Sequence, residues 1–102
     1  MRIIAKSTIV AFWEKHPDSA QQLKSWYHEA HCAKWKNPGQ IKAQYRNASI
    51  LKYGRVVFNI CGDKYRLLCV ILFGQGIIFI KFVGTHKQYD GIEAETYDNE
   101  RA

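Results

Sequence analysis

The sequence predicts an α+β domain in which N-terminal helices pack on one face of a small antiparallel sheet, with a short C-terminal helix or tail. Three observations carry this. Apolar residues recur at helical spacing in Ala20, Leu23, Trp26, Tyr27, Ala30 and Ala33. Beyond residue 54 the period falls to two, with Val56, Phe58 and Ile60 alternating with Arg55, Val57 and Asn59. Glycine turns at Gly62-Asp63 and Gly74-Gln75-Gly76 then separate three strand-like runs, the punctuation of a meander.

Each element has a local reason. Arg2-Ile3-Ile4-Ala5 reads as a short strand. Ser7 or Thr8 is placed to cap a first helix whose apolar face holds Ile9 or Val10 and Phe12 or Trp13, and Pro17 stops it. Asp18 and Gln21 have capping-box spacing ahead of the second helix, which Asn37-Pro38-Gly39 ends. Gln40 to Tyr45 suits a short helix, and Asn47 to Ser49 a turn. Strands are expected over Arg55 to Ile60, Lys64 to Phe73 and Ile77 to Val83, the second of them central because it is apolar on both faces after Leu67. Ile78, Ile80 and Phe82 share a face by alternation, Gly84 breaks the third strand, and Thr85 to Glu93 forms a terminal helix or turn.

The 102 residues make one domain, too short for a cofactor domain beside a substrate domain. The longest strongly apolar run, Leu67 to Phe73, is far below the roughly 20 residues of a membrane helix. Met1-Arg2-Ile3-Ile4 lacks a signal-peptide core, so a cytoplasmic protein is expected. Cys32, Cys61 and Cys69 are odd in number and irregularly spaced, which argues for buried thiols rather than a disulfide framework. His28-x-x-His31-Cys32 lacks a well-placed carboxylate, and CxxC, HExxH, GxGxxG and P-loop patterns are all missing. No metal and no cofactor is therefore expected. Trp13 and Trp26 read as core anchors, whereas Lys34-Trp35-Lys36 reads as more exposed.

Charge is unevenly distributed. Residues 1–89 hold 14 basic and 4 acidic side chains, and residues 90–102 hold 1 basic and 5 acidic. A basic body with an acidic tail points to a polyanionic partner, and the tail either frays or folds back over the basic surface. Register arithmetic locates the basic groups. A two-residue loop at Gly62-Asp63 pairs Cys61 with Lys64, Asn59 with Arg66 and Val57 with Leu68. Opposed residues point to one face, so Arg55, Asn59, Lys64 and Arg66 lie together, opposite the apolar face of Val56, Phe58, Ile60, Tyr65, Leu67, Cys69 and Ile71. Lys81 joins the polar face if the next loop has two residues and leaves it if the loop has three. His86 follows the third strand, with Lys87 and Tyr89 beside it.

These residue types suit RNA cleavage without a metal. A base takes the proton of the 2′-hydroxyl, an acid supplies one to the leaving 5′-oxygen, and cations stabilise the phosphorane oxygens. Arg66 fits as a bidentate phosphate clamp. His86 supplies an imidazole, the side-chain type that works as acid or base near neutrality. Tyr89 offers a proton donor or acceptor, or a ring to stack on a base. The plainer reading of the same residues is a solvated basic face. Between the two stand a non-catalytic RNA- or ribosome-binding module and a subunit that binds an acidic partner segment.

A longer pattern runs in order from about residue 2 to residue 92. It comprises Phe12-Trp13-Glu14-Lys15-His16-Pro17-Asp18, Trp26-Tyr27, Lys42-Ala43-Gln44-Tyr45, Ala48-Ser49, Arg55-Val56-Val57-Phe58-Asn59-Ile60, Lys64-Tyr65-Arg66-Leu67 and Gly84-Thr85-His86-Lys87-Gln88-Tyr89-Asp90. In this combination the chain resembles the HigB group of bacterial type II toxins, within the RelE-like ribonuclease superfamily. The resemblance implies an mRNA interferase that cuts translated mRNA in the ribosomal A site without a metal. It implies a HigA-type helix-turn-helix antitoxin, through which alone operator DNA is met. RelE-like active sites are variable sets of Arg, Lys, His and Tyr. Onto this chain the catalytic roles map to Arg66, His86 and Tyr89, and RNA-holding roles to Arg55, Lys64, Lys81 and Lys87. Cys61-Gly62-Asp63 departs from the usual Gly-Asn type of turn. Residues 1–92 form the single toxin domain in this reading, and residues 93–102 an acidic tail beyond the matched region.

Overall fold

The computed structural model describes residues 1–98; the end of the expected tail, 99–102, lies outside the described residues. The elements in chain order are β1 (Arg2–Ile4), α1 (Lys6–Lys15), a 3-10 turn (Pro17–Ser19), α2 (Ala20–Cys32), α3 (Pro38–Gln44), β2 (Ser49–Ile50), β3 (Arg55–Ile60), β4 (Tyr65–Leu72), β5 (Ile77–Thr85) and α4 (His86–Asp90). The strands form one sheet in the order β1-β5-β4-β3-β2. The α+β class is as expected, with β4 between β3 and β5. The sheet is mixed rather than purely antiparallel, because β1 pairs parallel to β5 at its edge. A local reading of three residues carries no information about where in the sheet they will pair.

The core lies between the helices and one sheet face. Ile9 and Phe12 of α1, Leu23, Trp26 and Ala30 of α2 and Ile41 of α3 pack with Val56, Phe58, Ile60, Tyr65, Leu67, Cys69, Ile71, Ile78 and Ile80. This is the apolar face that alternation predicts. Phe58 is its aromatic hub, with Tyr45 at 5.1 Å, Trp26 at 5.3 Å and Trp35 at 6.3 Å between ring centroids. Such pairs add about 0.5–1.5 kcal/mol each beyond their area. Trp35 corrects the expectation of exposure: it is only 5 % exposed, and its indole N–H donates to Gln44 Oε1 at 3.1 Å. The flanking lysines disguised a residue that turns inward between α2 and α3. Cysteine also differs from expectation. Cys69 is buried, with its thiol pKa pushed up by burial, but Cys32 is exposed and Cys61 half-buried.

The helix starts were misplaced by local capping rules. Neither Ser7 nor Thr8 caps α1; Ala5 does so in a left-handed conformation, φ 76°, which turns the chain sharply out of β1. Asp18 does not cap α2 through its side chain. That helix is entered through the 3-10 turn, and the Asp18 carboxylate instead accepts from the Tyr65 hydroxyl at 2.8 and 3.0 Å and pairs with Lys64 Nζ at 2.5 Å. The lysine and the tyrosine hold the Asp18 carboxyl below the ordinary carboxylate range. A depressed folded-state pKa means stability that is present at neutral pH and lost as the pH falls through the folded value. Asp18→Asn should therefore lower the thermal midpoint at pH 7, and the gap to wild type should close below about pH 4. Thermal unfolding followed by circular dichroism across that range measures it.

Three features of the second half set up the polar face. The β3–β4 register is the expected one, with Asn59 opposite Arg66 and Val57 opposite Leu68. Cys61 and Gly62 both take positive φ in the connecting turn, at 56° and 68°, which Gly62 adopts without strain. Leu72 pairs with Ile77, so the next loop has an even number of residues, and Lys81 falls on the polar side. A bulge then adds a correction. Leu68 pairs with Phe82 but Cys69 with Ile80, leaving Lys81 as an extra residue. The shift moves Phe82 off the core face of Ile78 and Ile80 and onto the face of Leu68 and Arg66. Gly84 does not break β5; it continues the strand and pairs with Arg66.

Candidate active site

The site is built where the ends of β4 and β5 meet α4. Thr85 caps α4 with a complete capping box: the Gln88 N–H donates to Thr85 Oγ1 at 3.1 Å, and the Thr85 N–H donates to Gln88 Oε1 at 2.9 Å. The His86 N–H donates to the Lys64 carbonyl at 3.1 Å, tying the helix start to the beginning of β4. His86 and Tyr89 stand three residues apart and so share a side of this single turn. Gly84, opposite Arg66, leaves room between strand and helix. A Cβ there would sit 2.7 Å from Phe82 Cζ and 2.7 Å from Gln88 Oε1.

Arg66 and Tyr89 come together, with the guanidinium carbon 5.4 Å from the ring centroid. The Arg66 side chain is only 16 % exposed, and its Nη2 donates to Asp63 Oδ1 at 2.7 Å. Among the described residues its buried Nε has no hydrogen-bond partner, nor has the buried Oδ1 of Asn59, its opposite number on β3. A partly desolvated guanidinium interacts with an anion more strongly than one in bulk water. Burial raises the Tyr89 pKa, with Asp90 adding to it and Arg66 opposing, so the phenol is protonated at neutral pH. His86 Nδ1 lies 3.2 Å from Asp90 Oδ2 on the next turn. With Nδ1–H donating to the carboxylate, Nε2 is the nitrogen left for proton transfer.

The four cations expected to hold RNA have different surroundings. Lys87 is exposed. Lys64 is also exposed but turns its ammonium away from the site, to Asp18 and over the Tyr65 ring. Arg55 Nη1 donates to two main-chain carbonyls, Ala94 at 3.0 Å and Tyr97 at 2.8 Å. Lys81 Nζ lies 3.6 Å from Asp98 Oδ1. The C-terminal segment thus folds back over the basic face. Among the described residues no cluster of His, Cys, Asp or Glu is arranged to hold a metal ion, and no helix is long and apolar enough to cross a membrane.

The chain that carries this arrangement has known relatives. Residues 19–92 match the family model described as HigB toxin, the RelE-like toxic component of a toxin-antitoxin system. The chain belongs to the HigB toxin family. The match spans α2 to the end of α4 and contains Arg66, His86 and Tyr89, while Tyr97 lies beyond it. The chain is 27 % identical over 92 residues to the mRNA interferase toxin HigB of Escherichia coli strain K12, covering 88 % of each chain. It shows the same identity and coverage against mRNA interferase HigB of Shigella flexneri. Against mRNA interferase HigB of Escherichia coli O6:H1 it is 26 % identical, covering 88 % of this chain and 89 % of the relative.

Sequence reasoning missed three neighbours of the candidate site in this HigB-family chain. Asp90 carries a signal, since it stands four residues after His86 on one helix and so faces it. Phe82 was assigned to the opposite face because strict alternation does not foresee a bulge. Tyr97, whose ring meets Phe82 at 5.4 Å, belongs to the stretch read as tail.

Proposed function

We propose that the chain is an endoribonuclease that cleaves translated mRNA on the ribosome, with Arg66, His86 and Tyr89 as its catalytic residues. The observation that carries this reading is the stacking of the half-buried Arg66 guanidinium on a protonated Tyr89, with His86, paired to Asp90, three residues before Tyr89 on the same helix turn. His86 Nε2 takes the proton of the 2′-hydroxyl. The 2′-oxygen then bonds to phosphorus as the bond from phosphorus to the 5′-oxygen breaks. Tyr89 donates a proton to that leaving oxygen, and Arg66 binds the phosphorane oxygens that carry the developing charge. The products are a 2′,3′-cyclic phosphate and a free 5′-hydroxyl. Lys87 holds flanking phosphates, Lys64 stays paired with Asp18 outside the site, and Arg55 and Lys81 add positive potential from beneath the C-terminal segment.

The ribosome supplies what this open face does not, by holding the 2′-oxygen in line with the leaving group. In this reading a HigA-type helix-turn-helix antitoxin neutralises the toxin and carries the contact with operator DNA. The relatives' name, mRNA interferase, supports the substrate class. Primer extension on one mRNA, with and without ribosomes, tests it. Cuts at codon-phased positions that vanish without ribosomes, and vanish again when the antitoxin is added, are expected. Ribosome binding with arrested translation and no strand scission would instead establish the non-catalytic docking module.

A further inference from the structure

We propose that the C-terminal segment Glu93–Asp98 is a wall of the catalytic site, with Arg55 as its latch and Tyr97 as a positioning residue. This rests on the ribonuclease reading above and changes what two of its residues do. A continuous line of contacts joins the segment to the phosphate clamp. The Tyr97 carbonyl accepts from Arg55 Nη1, and the Tyr97 ring meets the Phe82 ring edge-on at 5.4 Å. Phe82 in turn lies 6.5 Å from the Tyr89 ring, and Tyr89 carries the Arg66 guanidinium at 5.4 Å.

The segment is built to stay. The Thr96 and Tyr97 N–H groups donate to the Glu93 carbonyl at 3.0 and 2.8 Å, closing a turn that presents the Ala94 and Tyr97 carbonyls to one guanidinium nitrogen. Lys81 and Asp98 fasten its far end. The sheet is prepared for it as well. Val57 and Leu68 are fully buried on this face yet stand outside the main core, and the β5 bulge is what turns Phe82 toward Tyr97. An acidic segment laid over a basic surface merely to shield it has no use for a bulge that aims an aromatic ring. A wall that fixes Tyr89 does.

The test is single-turnover cleavage of ribosome-bound mRNA by otherwise full-length protein. A stop after Ile92 and Tyr97→Ala should each lower the maximal rate on the order of 10²-fold, the effect of displacing reacting groups by about 1 Å, with KM little changed. Tyr97→Phe should restore most of the rate, because the ring that meets Phe82 remains. A stop after Asp98 should match wild type. A rate that is unchanged or higher after the stop at Ile92 would overturn the proposal and make the segment a cap. Hydrogen exchange at Arg66 Nε gives a readout independent of activity. It should quicken in Tyr97→Ala and not in Tyr97→Phe; equal exchange in both would sink the wall even if the chain cut no RNA. Wild type without cleavage but with the expected exchange pattern would count against the ribonuclease reading alone.

Discussion

Arg66→Ala should slow mRNA cleavage by a factor on the order of 10² to 10³, the effect of removing one main donor to a developing oxyanion. The fold should survive, because Arg66 lies outside the helix-covered core and its Asp63 partner sits exposed on a turn. The loss should fall on the chemical step. Tyr89 would lose the cation on its ring, and the phosphorane oxygens would lose a desolvated guanidinium, while exposed Lys87 keeps its grip on flanking phosphates. Arg66→Lys should recover only part of the rate, since a single ammonium does not reproduce the planar fork. Single-turnover rates at saturating ribosome-bound mRNA, with circular dichroism to confirm folding, measure this. A variant as fast as wild type would remove Arg66 from the site.

His86→Ala should be of comparable size, a loss of about 10²- to 10⁴-fold for a proton-transfer group. The side chain is partly exposed at the first position of α4, so its removal leaves the Thr85–Gln88 capping box untouched. Asp90→Asn separates orientation from proton transfer. It keeps the shape of the Asp90 side chain but no longer favours Nδ1–H, so a smaller loss is expected than for His86→Ala. Equal losses would mean that the carboxylate itself takes part. No loss in either variant would place the proton-transfer group elsewhere, with Tyr89 the next to examine.

Much of this architecture was legible in the sequence, where it follows from short-range rules. Alternation in Arg55–Ile60 and the Gly62-Asp63 turn were enough to set the pairing of Asn59 with Arg66, because side-chain direction in a hairpin follows from register alone. The stripe from Leu23 to Ala30 identified the buried face of α2 for the same kind of reason. What stayed hidden depends on residues distant in sequence. Asp18 has every local mark of a helix cap but is drawn to Tyr65 and Lys64. The lysines beside Trp35 look like a solvated stretch, yet the ring is held against Phe58 and Gln44. Phe82 changed faces through a bulge that alternation does not encode. Of the residues assigned to the site, Arg66 and Tyr89 are in contact and His86 sits on the same helix turn, whereas Arg55 and Lys81 turn their donors to residues 94–98. That last fact was out of reach, because nothing local distinguishes an acidic tail that frays from one that docks.

The central claim is that this face cleaves RNA by attack of its own 2′-hydroxyl, and the product ends test it most directly. An mRNA carrying a single 2′-deoxynucleotide at the scissile position should resist cleavage there. The unmodified message should yield fragments ending in 2′,3′-cyclic phosphate and beginning with a 5′-hydroxyl, both read by mass spectrometry. Cleavage of the deoxy-substituted message at the same position, leaving a 3′-hydroxyl and a 5′-phosphate, would mean that water is the nucleophile and would contradict the roles assigned to His86, Tyr89 and Arg66.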